Sequence, residues 1–297
     1  MNVVVFGANG QLGQSIVARL SSRYAVTACT RQQVDVANHD QVRAFTLDLG
    51  PHAIINCAAY NNVDAAEDDP RAAFEVNALA VRTLSRAAGD AGAVFVHYST
   101  DFVFNGSANE PYTEEETPEP QSVYAQSKLV GEWMAAICPR HYVLRVESLF
   151  GGPLARSSVD TIIAALRDGR SARVFTDRWV SPSFVDDVVE ATAFLLSQST
   201  NHGPQTAPSG VEGSSPAFGL YHCVNTGAAT WLEVGREVAR LLNRPADALA
   251  PVAMADVTLR ALRPRYAALD NTKLAQAGFA MPTWQDALAR YLERADA

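Results

Sequence analysis

The sequence has few cysteines, and they show neither a disulfide framework nor a metal centre. The 297 residues contain four cysteines, which are Cys29, Cys57, Cys138 and Cys223. They form no C-x-x-C pair and accompany no histidine cluster at metal-ligand spacing. Scattered cysteines of this kind are typical of buried free thiols in a reducing compartment. We therefore predict free thiols and no bound metal.

Long apolar runs and an excess of positive charge are also missing. No segment reaches the ~18 consecutive apolar residues of a membrane-spanning helix, and the chain starts in a strand-like run instead of a signal peptide. The 32 acidic residues outnumber the 24 basic ones, for a formal net charge of -8. This balance argues against nucleic acid as a partner. We expect a cytoplasmic protein without membrane or nucleic-acid partners, in which local positive groups hold any anionic ligand.

The apolar content is that of a globular protein, with 48% hydrophobic and 19% charged residues. Buried strand-like runs alternate with helical segments, which predicts a Rossmann-like, doubly wound α/β fold with a parallel sheet. We expect an NAD(P)-binding domain over 1–150, extended by parts of 172–200 and 220–228. Residues 151–297 would be a smaller, predominantly substrate-binding α/β part, and 199–219, rich in Ser, Thr, Asn, Gly and Pro, a flexible loop.

The first strand, turn and helix carry a cofactor signal. Asn2 to Phe6 predict a buried strand, and Gln14 to Leu20 a helix. The glycine-spaced turn between them, G-A-N-G-Q-L-G, permits close backbone approach, and the following helix N-terminus suits a pyrophosphate. The spacing is G-x-x-G-x-x-G and not the G-x-G-x-x-G of the standard fingerprint. We assign to this corner Gly7, Asn9, Gly10, Gln11 and Leu12.

The end of the second strand bears on the choice of cofactor. Ala25 to Thr30 should end beside the adenosine ribose, where an acidic residue favours NAD and an arginine accommodates a 2′-phosphate. Arg31 follows directly, so we expect NADPH, with NADH as the alternative donor. Arg31 can also be interpreted as a solvated loop residue. Asp35 and Val36 come next, where a carboxylate can meet the adenine amino group.

The third predicted strand, Ala53 to Asn56, ends in small residues. Small side chains at the carboxyl end of a parallel strand let a cofactor lie close against the backbone. The cofactor residues predicted here are Cys57, Ala58, Ala59 and Tyr60.

Tyr124 and Lys128 are the candidate catalytic pair. They lie four residues apart in a segment that can continue as helix, so they share one helical face. A phenol has an unperturbed pKa of about 10, and an ammonium one turn away would lower it by about two units at most. Such a phenol suits proton transfer to a carbonyl oxygen. The alternative is a purely structural role, in which the aromatic ring packs under the aliphatic part of the lysine side chain.

The strand predicted over Ala93 to Tyr98 ends in Ser99, Thr100 and Asp101. Hydroxyls at that end point into the crevice where an open α/β sheet binds its ligand. A substrate carbonyl between the Thr100 hydroxyl and the Tyr124 phenol would be polarised on one side and protonated on the other.

The remaining pattern gives coarser predictions. Helices are predicted over 39–47, 70–91, 159–168, 185–198, 230–243 and 284–294, and strands over 141–147, 173–176 and 221–225. Asn77 is the odd polar residue in its helix, and the pattern does not decide whether it is buried or exposed. The second half of the chain is rich in arginine at Arg167, Arg170, Arg173, Arg178, Arg260, Arg263 and Arg265. These suit an anionic substrate tail such as a diphosphate, or they form ordinary surface ion pairs.

Together these motifs resemble the extended short-chain dehydrogenase/reductases, and within them the dTDP-4-dehydrorhamnose reductases. The likeness spans nearly the whole chain, and the joint occurrence of Y-S-T-D with Y-x-x-x-K-L-x-G-E is specific. The matching segments are Gly7 to Gly13, Asp35-Val36, Ile54 to Ala59 (I-I-N-C-A-A), Val63 to Glu67 (V-D-A-A-E), Tyr98 to Phe104 (Y-S-T-D-F-V-F), Tyr124 to Glu132, Arg263-Pro264, Leu269 to Leu274 (L-D-N-T-K-L) and Pro282 to Trp284.

The resemblance implies a catalytic triad of Thr100, Tyr124 and Lys128, with NADPH or NADH as hydride donor. It implies reduction of the 4-keto group of a dTDP-linked 6-deoxy sugar, most simply dTDP-4-dehydro-L-rhamnose. Tyr124 and Lys128 would also contact the cofactor. The substrate-binding residues implied are Val63, Thr100, Asp101, Phe102, Tyr124 and Arg263. The resemblance also allows a homodimer.

The chain departs from the family on the sugar side. Phe102 replaces the usual tyrosine, and the usual R-T-S-W appears as Arg145 to Leu149 (R-V-E-S-L) without the tryptophan. The usual G-A-P-T appears as Val180 to Ser183 (V-S-P-S). Ser15 stands where some members have a first-helix glutamate that binds a dimer-bridging magnesium, so this metal is not predicted.

Two alternatives follow from these departures. The chain can be a reductase of another keto-sugar nucleotide, since the altered positions face the sugar. It can also be a non-catalytic, NADP-binding partner protein that resembles the β regulatory subunit of methionine adenosyltransferase. The intact Thr100, Tyr124 and Lys128 favour an enzyme.

Overall fold

A computed structural model describes residues 1–199 and 216–296, with side chains of the last helix described up to Arg294. Most of the loop predicted over 199–219 lies outside the described residues. Its two ends were predicted wrongly, because Ser199 is the last residue of a helix and Gly219 the first residue of a strand.

The described chain alternates strands and helices from its first residues. The strands are β1 (Asn2–Phe6), β2 (Ala25–Cys29), β3 (Ala53–Asn56), β4 (Val94–Thr100), β5 (His141–Val146), β6 (Leu149–Phe150), β7 (Ala172–Phe175), β8 (Trp179–Val180), β9 (Ser183–Phe184), β10 (Gly219–His222), β11 (Ala229–Thr230) and β12 (Leu249–Val252). The helices are α1 (Gln11–Leu20), α2 (His39–Leu49), α3 (Val63–Asp68), α4 (Pro70–Phe74), α5 (Ala80–Asp90), α6 (Val123–Ala135), α7 (Ser158–Arg167), α8 (Val185–Ser199), α9 (Trp231–Leu241), α10 (Thr272–Gln276) and α11 (Trp284–Asp296).

Six strands form the central sheet in the order β10-β5-β4-β3-β1-β2. Every pairing in it is parallel. All residues of β3 and β4 are buried, as expected for parallel strands covered on both faces. The predicted doubly wound α/β fold is therefore confirmed.

Side chains of alternate strand residues pack into two different apolar layers, one on each face of the sheet. Val3 and Val5 pack with α1 and α8 on one face, whereas Val4 and Phe6 pack with α2, α5 and α6 on the other. This alternation follows from the two-residue period of a strand. A further apolar cluster joins α7, α9 and α11 to β7 and β12.

Most predicted elements are present, with shifted ends. The first helix begins at Gln11 and not at Gln14, so the last glycine of the turn is already helical. β4 continues to Thr100, two residues beyond the predicted end. The helix predicted over 70–91 is divided by a π-helical turn, Glu75–Leu79. Such turns occur frequently at functional sites.

Candidate active site

The glycine turn fits tightly between β1, β3 and α1. Gly7 has a φ of 74°, and a Cβ there would lie 2.5 Å from the main-chain nitrogen of Ala58. A Cβ on Gly13 would lie 2.3 Å from the oxygen of Gly7. Gly10 caps α1 without a side-chain hydrogen bond. The first N–H groups of α1 thus have no side-chain acceptor at the cap, an arrangement that suits an anionic phosphate.

A cleft of about 750 Å³ opens beside this turn at the carboxyl ends of β1, β2 and β3. Arg31 lies at its rim with its side chain 85% exposed, and its Nε donates to the Asp35 carboxylate at 3.3 Å. The second Asp35 oxygen accepts from the main chain of Ala37. The predicted cofactor residues that line this cleft are Gly7, Asn9, Gly10, Arg31, Asp35, Val36, Cys57, Ala58, Ala59 and Tyr60.

A second cleft, of about 300 Å³, shares part of its wall with the first. Gly10, Cys57, Ala58 and Ala59 line both. The second cleft reaches the ends of β4 and α6, and its wall also includes Gln11, Leu12, Thr100, Asp101, Tyr124 and Lys128. The structure therefore brings predicted cofactor-binding residues and the predicted catalytic residues together in one cleft. Sequence reasoning did not assign Asn61 to the site, whereas Val146, Ser148 and Leu149 belong to the segment Arg145 to Leu149 that it placed on the sugar side.

Tyr124 lies in the first turn of α6. Ser122 caps this helix by accepting from the Ala125 N–H, and Tyr124 and Lys128 are both buried. Burial raises the pKa of Tyr124, the nearby Asp101 carboxylate raises it further, and the Thr100 hydroxyl acts in the opposite direction. The predicted lowering of this pKa is wrong for the structure, since removal of the phenol from water dominates.

Lys128 is tied to the end of β4. Its Nζ donates to the main-chain oxygen of Tyr98 at 2.5 Å. Burial lowers the pKa of Lys128 to about 8, and the negative charge of Glu132 opposes this shift. Glu132 in turn accepts from Ser99 and from Arg145, which is buried with it. The glutamate of the Y-x-x-x-K-L-x-G-E motif is thus a buried anion behind the lysine.

Thr100 and Asp101 are joined by a hydrogen bond. The Thr100 hydroxyl donates to Asp101 Oδ1 at 2.8 Å and accepts from the Phe102 N–H at 3.2 Å. Burial raises the pKa of Asp101 to about 6, while the positive charge of Arg178 lowers it. The Thr100 hydroxyl is therefore oriented by its neighbour.

Phe102 and Val63 pack with Tyr124, whereas Arg263 is held in an ion pair. Phe102 contacts the Tyr124 ring edge-on with centroids 5.8 Å apart, and Val63 packs in the same apolar cluster. Arg263 instead forms a bidentate ion pair with Asp64, at 2.7 and 2.8 Å.

Ion pairs also limit the predicted basic patch. Arg170 pairs with Asp168 and Arg260 with Asp68. Arg178 lies with its guanidinium carbon 5.5 Å from the centre of the Phe102 ring. Some of the seven predicted arginines therefore form ordinary ion pairs, and a common patch for a diphosphate stays a prediction.

Asn77 is a buried structural residue. Its carboxamide oxygen accepts from the Tyr60 N–H at 2.8 Å, and its nitrogen donates to the Tyr60 oxygen at 3.1 Å. The same nitrogen reaches the Ser127 hydroxyl at 3.0 Å. Asn77 therefore fastens the cofactor-lining segment at Tyr60 to α6, the helix of Tyr124.

In the residues that the structure describes, no cluster of three or more His, Cys, Asp and Glu side chains is placed to bind a metal. Cys29, Cys138 and Cys223 are buried free cysteines, whereas Cys57 is only half-buried. Over the same described ranges, no helix combines the length and the apolar character needed to cross a bilayer.

The chain is similar to known proteins over its whole length. A family model described as RmlD substrate binding domain matches residues 1–297. A dTDP-4-dehydrorhamnose reductase of Streptomyces griseus is 32% identical, over 96% of this chain and 91% of that protein. A probable dTDP-4,6-dihydroxy-2-methyloxan-3-one 4-ketoreductase of Streptomyces antibioticus is 32% identical, over 97% and 93%. The crystal structure of a Bacillus anthracis dTDP-4-dehydrorhamnose reductase in complex with NADP is 30% identical, with a TM-score of 0.86 and coverage of 99% and 98%.

Proposed function

Because the chain belongs to the RmlD substrate binding domain family, we propose that it is an NADPH-dependent oxidoreductase that reduces the 4-keto group of a nucleotide-linked 6-deoxy sugar. The first substrate to test is dTDP-4-dehydro-L-rhamnose, with dTDP-L-rhamnose as product. One observation carries this proposal. Thr100, Tyr124 and Lys128 line the same small cleft as the residues of the glycine turn.

Tyr124 is the proton donor in this scheme. When bound, NADPH supplies the hydride that adds to the carbonyl carbon. The forming alkoxide is a far stronger base than a carbonyl oxygen, so it takes the phenolic proton as it develops. The raised pKa of Tyr124 keeps the phenol protonated until that moment. Tyr124 therefore serves as a general acid without a standing population of phenolate.

Thr100 and Lys128 prepare this transfer. The Thr100 hydroxyl, beside the phenol, positions the carbonyl oxygen of the substrate. Lys128 holds the cofactor ribose and presents a positive charge at the carboxyl end of β4, which favours charge development on oxygen. Its bond to Tyr98 fixes the ammonium in place before substrate arrives.

NADPH is the proposed donor because of the groups at the adenosine end. Arg31 is exposed at the rim of the larger cleft, where its guanidinium can pair with a 2′-phosphate. Asp35 restrains this arginine through an i,i+4 contact. The NADP complex of the Bacillus anthracis relative agrees with this choice.

Residues beyond 150 predominantly form the substrate-binding part in this proposal, and the first 150 residues bind the cofactor. Val63, Asp101 and Phe102 contact the substrate from the first part, and Arg263 contacts it from the segment that follows β12. The protein acts in the cytoplasm, and a homodimer is compatible with the family.

A reductase of a different keto-sugar nucleotide is the second candidate. Phe102 removes a hydroxyl from the sugar side, and Glu147 adds a buried carboxyl at a position where the family usually has a small polar residue. The 4-ketoreductase of Streptomyces antibioticus is as similar in identity as the Streptomyces griseus reductase. A non-catalytic NADP-binding subunit is less well supported, because such a protein has no need of Thr100, Tyr124 and Lys128 in one cleft.

The test uses purified protein, NADPH and a small panel of keto-sugar nucleotides that includes dTDP-4-dehydro-L-rhamnose. We expect oxidation of NADPH with at least one of them. Tyr124→Phe should remove nearly all turnover while NADPH still binds, since only the proton donor is lost. A Tyr124→Phe variant as active as the parent would refute the role of Tyr124. A stable complex with a synthetase and no turnover on the panel would favour the regulatory subunit.

A further inference from the structure

Ser148 is a non-glycine residue with a left-handed backbone, and it lines the small cleft together with Tyr124. Its φ is 43°, in a region where a Cβ makes the backbone conformation unfavourable. Such residues persist only where their surroundings hold them, and they cluster at ligand-binding sites. The same segment has glycines at two further left-handed positions, Gly151 and Gly152. A serine at position 148 therefore calls for a reason other than backbone geometry.

Contacts with the strand β9 and the residues before it hold this segment in place. The Ser148 main-chain oxygen accepts from the Ser183 N–H at 3.4 Å, at the point where β6 begins to pair with β9. The side chain of the preceding Glu147 is buried and accepts from the Ser181 N–H at 2.6 Å. The left-handed residue is thus fixed without a ligand, as expected for a preorganised contact.

The Ser148 hydroxyl differs from the three hydroxyls of β4 that line the same cleft. Those of Tyr98, Ser99 and Thr100 each have a hydrogen-bond partner inside the protein. In the part of the chain that the structure describes, the Ser148 hydroxyl has no such partner, and it is not fully buried. A serine hydroxyl can donate one hydrogen bond and accept two. This capacity is available to a ligand in the cleft.

The order of the strands places Ser148 on the substrate side of the catalytic residues. The central sheet runs β1-β3-β4-β5 in this region. The glycine turn follows β1, Thr100 ends β4, and Ser148 lies two residues after the end of β5. The proposed cofactor extends from the glycine turn towards Thr100 and Tyr124, where the carbonyl is held. Ser148 lies further along the same edge of the sheet, away from the glycines.

The position of the ketone limits which group of a sugar can reach Ser148. In a 4-keto-6-deoxyhexose, carbon 5 bears the methyl group and the ring oxygen, whereas carbon 3 bears a hydroxyl. Carbons 1 and 2 are further from the carbonyl, and carbon 1 carries the nucleotide. With the carbonyl oxygen between Thr100 and Tyr124, the 3-hydroxyl is the nearest group that can exchange a hydrogen bond with a serine.

We propose that the Ser148 hydroxyl hydrogen-bonds the 3-hydroxyl of the substrate and makes the enzyme selective for keto-sugars that carry this group. This inference rests on the proposed reductase function and adds a specificity-determining residue to it. Ser148 forms no covalent bond and transfers no proton. It orients the sugar ring from the carbon next to the ketone, which holds the carbonyl carbon towards the hydride donor.

The test compares dTDP-4-dehydro-L-rhamnose with its 3-deoxy counterpart, or the same pair for whichever keto-sugar nucleotide of the panel is reduced. Ser148→Ala removes the hydroxyl and keeps the Cβ. Ser148→Gly removes the hydroxyl and also relieves the left-handed backbone, so this variant should be at least as stable as the parent in urea. Both variants should lose about tenfold in kcat/KM with the 3-hydroxylated sugar, as expected for one hydrogen bond. The parental preference over the 3-deoxy sugar should disappear with it.

The matched control is Ser15→Ala. Ser15 is a half-buried serine on α1 that donates to the Gln11 oxygen at 3.3 Å. Its Oγ would lie 3.3 Å from a Cβ on Gly152, so it contacts the same segment from outside the small cleft. This variant should keep the parental preference.

Two results would overturn the proposal. Equal losses with both sugars in the Ser148 variants would mean that the hydroxyl serves the fold. A higher KM for NADPH with the sugar preference intact would mean that it contacts the nicotinamide instead.

A binding measurement separates this contact from the reductase function. dTDP-L-rhamnose and its 3-deoxy analogue are titrated by calorimetry into the parent and Ser148→Ala, with NADP⁺ present. The parent should bind dTDP-L-rhamnose about tenfold more tightly than the analogue, and the variant should bind both alike. If this result is obtained but no keto-sugar nucleotide is reduced, the Ser148 contact stands while the proposed reductase function fails. Equal affinities in the parent would overturn the contact even if reduction occurs.

Discussion

The Lys128 ammonium donates a hydrogen bond to the main-chain oxygen of Tyr98 at 2.5 Å, which anchors the lysine of α6 to the end of β4. The spacing of four residues correctly placed Lys128 and Tyr124 on one face of a helix. It did not reveal that both side chains would be buried, or that a main-chain oxygen would orient the ammonium. Burial also lowers the pKa of Lys128 to about 8, so the charge of this ammonium is sensitive to pH just above neutrality.

Activity should fall as the pH rises through about 8. Burial lowers the pKa of Lys128 to about 8, so the lysine is charged below this pH and neutral above it. The pH dependence of kcat/KM reports groups of the free enzyme. We therefore expect kcat/KM to have an alkaline limb near pH 8, measured with saturating NADPH.

The control for this limb is Lys128→Arg, whose guanidinium stays protonated throughout the range. Whatever activity the variant retains should lack the limb near pH 8. A limb at the same pH in the variant would assign it to another group.

Arg31 should decide the preference for NADPH over NADH. Arg31→Gln removes the charge proposed for the 2′-phosphate, and a charge-assisted hydrogen bond contributes about 1.5–3 kcal/mol. The KM for NADPH should therefore rise at least about tenfold, while the KM for NADH stays nearly constant. Arg43→Gln is a matched control, because Arg43 is an exposed arginine paired with Asp40 on α2. Equal losses with both cofactors would contradict the assignment.

The sequence predicted the sheet and its crevice well because both depend on local patterns. Apolar runs marked the buried strands, and small or polar residues after them marked the carboxyl ends. Since parallel strands end at one edge of the sheet, Gly7, Cys57 and Thr100 had to approach each other. Every predicted cofactor residue lines one of the two clefts for this reason.

The electrostatics of the site could not be predicted in the same way. Burial of Tyr124 and the carboxylate of Asp101 raise the phenol's pKa, and both effects come from tertiary packing. Arg178 and Glu147 are separated by thirty-one positions in sequence, yet they interact. The pairing of Arg263 with Asp64 likewise joins distant segments. The sequence alone could not show that this arginine is already paired and so is less free to bind an anionic ligand.

Asn77 should be needed both for stability and for cofactor binding. Asn77→Ala leaves the main-chain N–H and oxygen of Tyr60 and the Ser127 hydroxyl without this partner. The variant should lose about 2–4 kcal/mol of unfolding free energy in urea and bind NADPH more weakly. Asn62→Ala is a control that removes only an exposed cap of α3, at a cost of about 1 kcal/mol. A loss for Asn77→Ala no larger than this would contradict the bridging role.

Glu132 and Arg145 should behave as one unit behind Lys128. Arg145 donates to both oxygens of Glu132 at 2.8 Å, and both residues are buried. Arg145→Met leaves Glu132 as an unpaired buried anion and should cost about 3–5 kcal/mol of unfolding free energy. The double variant with Glu132→Met should recover much of this loss, because an apolar pair needs no compensating charge. Additive losses in urea unfolding would contradict the coupling.

The same pair offers a functional check on Lys128. The charge of Glu132 raises the pKa of Lys128 against the effect of burial. Glu132→Gln removes this charge, so the lysine should lose its proton at lower pH. The alkaline limb of kcat/KM should then move below pH 8, and activity near neutrality should fall even when the variant is fully folded. A limb that stays in place would mean that Glu132 supports α6 only as a packing element and has no electrostatic effect on the lysine.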